Sequence, residues 1–151
     1  MTLRRRYTPI RVSQPALTLG GRWVRPRPLY DVTLVGPMGT YLDAGLVDPG
    51  SDETIFPNLA AARAGIDLTI APTGNIAGVG LGTVHLRYAL VTLRIAGVNE
   101  LREWRAWVGF TAAPLKRPVL GFAGFLQFFS AHFFGDREEF ELEVNSLYPG
   151  T

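Results

Sequence analysis

The sequence predicts a mainly β protein, closed or sandwiched, with one or two short helices. Three observations lead there. Short runs rich in Val, Leu, Ile, Tyr and Phe recur along the 151 residues, separated by turn signals drawn from 17 glycines and 11 prolines. Period-two alternation is clear at Trp104, Ala106, Val108 and Phe110, and again at Phe140, Leu142 and Val144. No stretch carries the strand–helix–strand rhythm of a parallel α/β sheet, and no tandem repeat is visible.

Residues 1–26 read as a basic N-terminal arm with a short edge strand over residues 7–12, because Pro9 cannot donate to a central ladder. Residues 17–21 read as a strand end and turn. The remaining residues, 27–151, make one domain. A strand is expected over 27–35, a hairpin turn at Gly36-Pro37-Met38-Gly39, and a returning strand over 40–47 that delivers Asp48 at its end. Residues 54–56 form a short strand. A short helix follows over 57–65: Pro57 suits a first turn, the alanines are strong formers and Gly65 is a stop. Residues 66–70 extend again.

Residues 72–82 are glycine-rich and suit a hairpin tip covering a cleft. A phosphate loop would need a helix after its glycines, whereas residues 83–95 are β-rich. The alternation changes phase near Ala89-Leu90, which predicts a bulge or a strong twist. Gly97-Val98-Asn99-Glu100 is a turn, 104–110 a half-buried strand and 111–118 a loop. Val119-Leu120-Gly121 is an apolar run ending in glycine. One or two helical turns are expected within 122–128, an extended segment over 129–134, a turn at Gly135-Asp136-Arg137 and a closing strand through Val144.

Composition narrows the function classes. The 47% hydrophobic and 19% charged content suits a folded soluble domain. There is no cysteine, which excludes a disulfide framework and a thiol nucleophile and fits a reducing, cytoplasmic setting. His85 and His132 are isolated, without metal-ligand spacing. Trp104, Trp107 and the phenylalanines of 122–134 read as core rather than as a ligand cage. Residues 118–134 are too short and too interrupted for a membrane span, and Arg4-Arg5-Arg6 leads into Tyr7-Thr8-Pro9 rather than an apolar leader. Charge is uneven. Residues 1–30 hold seven arginines and no acid, while residues 31–151 hold eight basic residues and thirteen acids, a net of −5. Such an arm suits nucleic acid or an acidic partner. Its sparse aromatics favour instead a solvated tail, or one lying on the acidic body of its own dimer.

Asp48 is the residue on which function turns. It sits at the end of an apolar run, before Pro49-Gly50-Ser51, and a second apolar run follows at Ile55-Phe56. An acid in such surroundings must be paired or hydrogen-bonded. It therefore reads either as a turn opener before Pro-Gly or as half of a two-carboxylate site completed by a second copy of the chain. Asp52 and Glu53 read as solvent-facing, and nothing puts Asp43 in the cleft.

Three landmarks stand in order: Leu46-Val47-Asp48-Pro49-Gly50-Ser51 with its short strand and helix, the glycine-rich hairpin about thirty residues on, and Val119-Leu120-Gly121 with a closing hairpin. Over residues 27–144 this pattern resembles the retropepsin-like aspartic proteases, in particular their small bacterial members. The resemblance implies a closed, barrel-like acid-protease fold and a homodimer with one Asp48 from each protomer at the two-fold axis. It further implies an aspartic endopeptidase acting on a peptide or protein substrate through a shared-proton dyad and an activated water, with no metal or cofactor; the residues themselves, rather than the resemblance, disfavour a membrane and leave nucleic acid at the basic arm as the weaker alternative. By the same resemblance Pro49, Gly50 and Ser51 complete the active-site loop, the Ser51 hydroxyl steadying the carboxylate. Gly78, Val79 and Gly80 form the substrate-binding flap, and Val119, Leu120 and Gly121 support the loop. The family has Thr or Ser where this chain has Pro49, and that hydroxyl locks the two Asp loops together. The alternative is accordingly a catalytically silent dimerisation or peptide-binding module.

Overall fold

The computed structural model describes residues 2–78 and 82–151. Its strands are β1 (Thr2–Arg6), β2 (Thr8–Ala16), β3 (Arg22–Arg27), β4 (Leu29–Gly36), β5 (Gly39–Val47), β6 (Ile55–Pro57), β7 (Thr73–Gly78), β8 (Gly82–Ala96), β9 (Leu101–Thr111), β10 (Val119–Leu120), β11 (Phe129–Phe134) and β12 (Glu139–Val144). One helix, α1 (Asn58–Ala64), and two 3-10 turns, Leu17–Leu19 and Leu126–Phe128, complete the described elements. The protein is mainly β, as its alternating pattern predicts.

The main sheet runs β4-β5-β10-β6-β9-β8-β7. β4 also pairs with β8 through Thr33–Val35, so the ladder bends back on itself. Its interior is filled by the inward side chains of those strands, among them Val32, Leu34, Phe56, Leu93, Phe110 and Leu120, all within 1% of full burial. The hairpin at 36–39 forms as expected, with Gly36 opposite Gly39. Helix α1 docks on that turn: Met38 N–H donates to Ala64 O at 3.1 Å, and Gly65 caps the helix at φ 74°. A Cβ on Gly65 would lie 2.4 Å from the Met38 side chain, so both the left-handed conformation and the close approach require glycine.

The phase change in β8 has a clear origin. Leu86 is buried on one parity and Val91, Leu93 and Ile95 on the other, yet the β8–β9 register runs unbroken from Arg87↔Phe110 to Ala96↔Leu101. The strand is therefore twisted rather than bulged. Its first half pairs with β7 and its second half with β4 along the edge opposite β9, and the twist between the two halves turns a different face of the strand to the core.

Several expectations are corrected. Residues 66–70 form no strand: Ile66 and Leu68 pack against the core without a ladder partner, and Ile70 is exposed. The edge strand expected over 7–12 forms within β2, whose one partner among the described residues is β3, and the arm holds a further strand, β1, that was not expected. β1 pairs with β12, and Arg4, Arg5 and Arg6 stand opposite Glu141, Phe140 and Glu139. The strand expected from residue 27 starts at Leu29, because Pro28 supplies no N–H and Arg27 closes β3. Within 122–128 one helical turn forms, Leu126–Phe128, in keeping with the one or two expected. Trp104 is core, its Nε1–H donating to Gly124 O at 2.9 Å, but Trp107 and Phe122 are exposed.

Candidate active site

Asp48 follows β5 directly. On that strand Tyr41, Gly45 and Val47 face the core, so Leu46 and Asp48 share the opposite face. Asp43 has the other parity. Its carboxylate is taken up by the Tyr41 hydroxyl (2.9 Å) and the Ala44 N–H (2.8 Å), away from Asp48. That carboxylate also helps burial to raise the Tyr41 pKa.

The Asp48 turn is built from its own sequence. Gly50 N–H donates to Asp48 Oδ1 at 2.9 Å, and Ser51 N–H donates to Asp48 O at 3.1 Å, closing an Asx turn inside a β-turn. Pro49 and Gly50 are exposed and Asp48 is half-buried. A Cβ on Gly50 would stand 3.2 Å from Asp48 Oδ1, a tight contact that a shift of the carboxylate by a few tenths of an ångström would relieve. The Ser51 hydroxyl does not reach the Asp48 carboxylate in the protomer; it donates to Glu53 O at 2.8 Å.

What fixes this turn comes from seventy residues downstream. β10 inserts between β5 and β6, parallel to the first (Val119↔Leu46, Leu120↔Val47) and antiparallel to the second (Val119↔Ile55). Asp48 N–H donates to Leu120 O at 3.0 Å. Phe122 N–H donates to Ser51 O at 2.8 Å, and Ala123 N–H to Asp52 O at 3.0 Å. The segment following β10 thus grips the turn from Asp48 to Asp52. Gly121 makes this possible: a Cβ there would lie 2.2 Å from Glu53 O and 2.6 Å from Ser51 O. Gly45 clears the way for Leu120, whose side chain would meet a Cβ at 2.8 Å. Of the sequence-predicted support residues, Leu120 is brought against Asp48 and Gly121 against Ser51, while Val119 pairs with Leu46 and Ile55 on either side of the turn.

The β7–β8 hairpin rises beside this loop. Gly78 ends β7 opposite Gly82, and Val79 and Gly80 lie outside the described residues. The hairpin is anchored at its base. Tyr88 N–H donates to Pro72 O at 2.8 Å, and the Tyr88 hydroxyl reaches Glu53 Oε1 at 3.4 Å. Burial first, and then Glu53, raise the Tyr88 pKa. Gly74 admits the Tyr88 ring, which a Cβ would meet at 2.8 Å. Between the hairpin and β6 lies a cavity of about 730 Å³, mostly apolar, lined in part by Ile55, Ile76, Val84 and Phe110, with His85 and Arg87 as polar members. His85 Nδ1 is 2.7 Å from Asn75 Oδ1.

Sequence reading missed Glu53, Tyr88, His85 and Arg87 as site residues. The Tyr88–Glu53 contact joins residues 35 apart, and His85 and Arg87 are placed by the β7–β8 and β8–β9 pairings; only the run of β residues after the glycines hinted at them. No group of three or more His, Asp or Glu side chains positioned to hold a metal occurs among the described residues. The arrangement offers one half-buried carboxylate on a turn held by hydrogen bonds, and separately an apolar cavity under the hairpin whose lining reaches Ile55 but not Asp48. Such a carboxylate can accept a proton or orient a water. No family model matches the chain, and no curated protein matches it.

Proposed function

We propose that the chain is an aspartic endopeptidase of the retropepsin-like kind, working as a homodimer in which each protomer contributes one Asp48. The observation that carries this reading is the insertion of β10 between β5 and β6, where it grips the Asp48 turn, with Ile55, the cross-strand neighbour of Val119, also lining the cavity beneath the β7–β8 hairpin. The bent-back ladder of the main sheet supports the barrel-like form of that fold.

The chemistry follows from two carboxylates brought to about 3 Å from each other, where both cannot ionise and one proton is shared. The ionised Asp48 draws a proton from a water lying between the pair. The protonated Asp48 hydrogen-bonds the scissile carbonyl and transfers its proton as the water attacks. As the C–N bond of the gem-diol intermediate breaks, one of its hydroxyls returns a proton to the ionised Asp48 while the leaving amine takes a proton from the other Asp48, so one shared proton remains on the dyad. An extended peptide fits under the hairpin, its side chains alternating between pockets, with an apolar side chain in the 730 Å³ cavity.

A specific observation favours a second reading, a silent dimerisation or peptide-binding module. Pro49 has no hydroxyl to bridge the two loops, and the Ser51 hydroxyl is committed to Glu53 O. The deciding experiment is Asp48→Asn with a mixed peptide library read by mass spectrometry. The protease reading expects cleavage by the parent protein and none by the variant, with equal folding. Cleavage that survives the substitution sinks the dyad, and a parent that binds peptides without cutting them leaves the silent module.

A further inference from the structure

A second groove, of about 590 Å³, opens on the face of β5 that carries Leu46 and Asp48. Its lining includes Leu46 and Val119 together with Arg11 of β2, Arg27 of β3, and Lys116 and Arg117 of the loop before β10. No acid lines it. None of the four cations takes part in the ion pairs formed among the described residues, which engage Arg4, Arg22, Arg94, Arg102, His132 and Arg137 instead. Four uncompensated positive charges converging on one groove repel one another, and an anionic occupant relieves that repulsion.

This groove is the continuation of the cleft under the β7–β8 hairpin. Leu115 lines both cavities. Val119 is the cross-strand neighbour of Leu46, which lines the basic groove, and of Ile55, which lines the apolar cavity. Asp48 follows Leu46 by two residues, one step beyond the end of β5, and lines neither cavity. A chain lying along this cleft passes from the apolar cavity, by way of Leu115, into the basic groove.

We propose that the natural ligand is an extended peptide whose acidic side chains occupy the groove of Arg11, Arg27, Lys116 and Arg117, with an apolar side chain in the cavity under the hairpin. The identification of the cleft as a peptide site rests on the protease reading above; the charge preference rests on the groove alone. A peptide fits better than a nucleic acid because Leu46, Val119 and Leu115 intersperse the cations and no aromatic side chain lines the groove to stack a base. The four cations then set specificity at positions flanking the apolar residue, and through long-range attraction they also speed encounter with acidic substrates.

The test is fluorescence anisotropy on the full-length Asp48→Asn protein, so that binding is read without cleavage. The probe is an end-blocked, fluorescein-labelled peptide of about eight residues with leucines at its centre and glutamates outside them, compared with its Gln and Lys counterparts. The expected result is at least about tenfold tighter binding of the Glu peptide than of the Gln peptide. That advantage should shrink as salt rises past about 0.15 M, where charges are screened within about 8 Å. It should vanish or reverse in Lys116→Glu/Arg117→Glu. Equal binding of the three peptides, or a Glu preference untouched by salt, overturns the proposal without need of the charge-reversed variant. Displacement of the Glu peptide by a short oligothymidylate at lower concentration than by unlabelled peptide overturns it in favour of nucleic acid. Loss of dimerisation in Lys116→Glu/Arg117→Glu, with no Glu preference in the parent, overturns it in favour of contacts between copies. A Glu preference in a protein that cuts no peptide ends the protease reading and leaves this inference standing.

Discussion

Replacing Gly121 by alanine inserts a methyl group where two backbone carbonyls converge. The new Cβ would stand 2.2 Å from Glu53 O and 2.6 Å from Ser51 O, against the 3.0 Å that real Cβ atoms respect. Both neighbours are main chain, so no rotamer change clears the clash and the two segments must part by roughly 1 Å. Overpacking of this kind costs about 1–3 kcal/mol. The separation also strains the bonds from Phe122 N–H to Ser51 O and from Ala123 N–H to Asp52 O, each contributing about 1 kcal/mol. The sum is about 3–5 kcal/mol, a large share of the stability of a domain this size, and corresponds to a fall of about 10 °C in melting temperature. The assay is thermal and urea unfolding of Gly121→Ala beside Gly135→Ala, since a Cβ at Gly135 meets nothing within 4 Å. The control should melt within about 2 °C of the parent, as open-site Gly→Ala changes do. A Gly121→Ala protein that melts with the control refutes the grip of this segment on the Asp48 turn.

Pro49→Thr supplies a hydroxyl at the centre of the proposed dimer axis. If the missing hydroxyl limits the dyad, cleavage rate or dimer affinity rises, measured by peptide turnover and by sedimentation; no change in either shows that the turn is held well enough by Leu120 O and Gly50 N–H. Tyr30 is fully buried, and its hydroxyl donates to Ala96 O at 3.0 Å. Burial raises its pKa above 10.0, an effect partly offset by Arg5, which lies 4.7 Å from the ring centre. The folded state thus holds this proton more tightly than the unfolded chain. The stabilisation is fully present below pH 10.0 and is lost as pH rises through the raised folded value. Tyr30→Phe should cost about 1 kcal/mol near neutral pH from the lost hydrogen bond and should flatten the alkaline decline, read from melting temperature against pH. Parallel curves for parent and variant contradict the assignment.

The elements legible in the sequence were those whose signals are local. The Gly36-Pro37-Met38-Gly39 turn, the helix ended by Gly65 and the alternating residues of β9 and β12 each carry their instruction within a few residues. Val119-Leu120-Gly121 was legible as support for Asp48 through resemblance, and the structure adds the reason its third member is glycine. Residues 66–70 misled because an apolar, β-prone run needs a free ladder edge as well as propensity. β1 was missed because three consecutive arginines read as a solvated arm. The overlooked signal was complementarity at period two: Arg4 and Arg6 stand across from Glu141 and Glu139, and Arg4 pairs with Glu141 at 3.0 Å. The basic groove was illegible for a similar reason, since Arg11, Arg27 and the Lys116-Arg117 pair come together only when the β2–β3 hairpin and the 112–118 loop flank β5.

The most direct test of the central claim is the separation of the two Asp48 carboxylates in a crystal structure of the assembled protein. The account predicts a two-fold dimer in which they lie about 3 Å apart with a water held between them. A monomer in the crystal and in solution, or a dimer whose Asp48 side chains face away from each other, contradicts it.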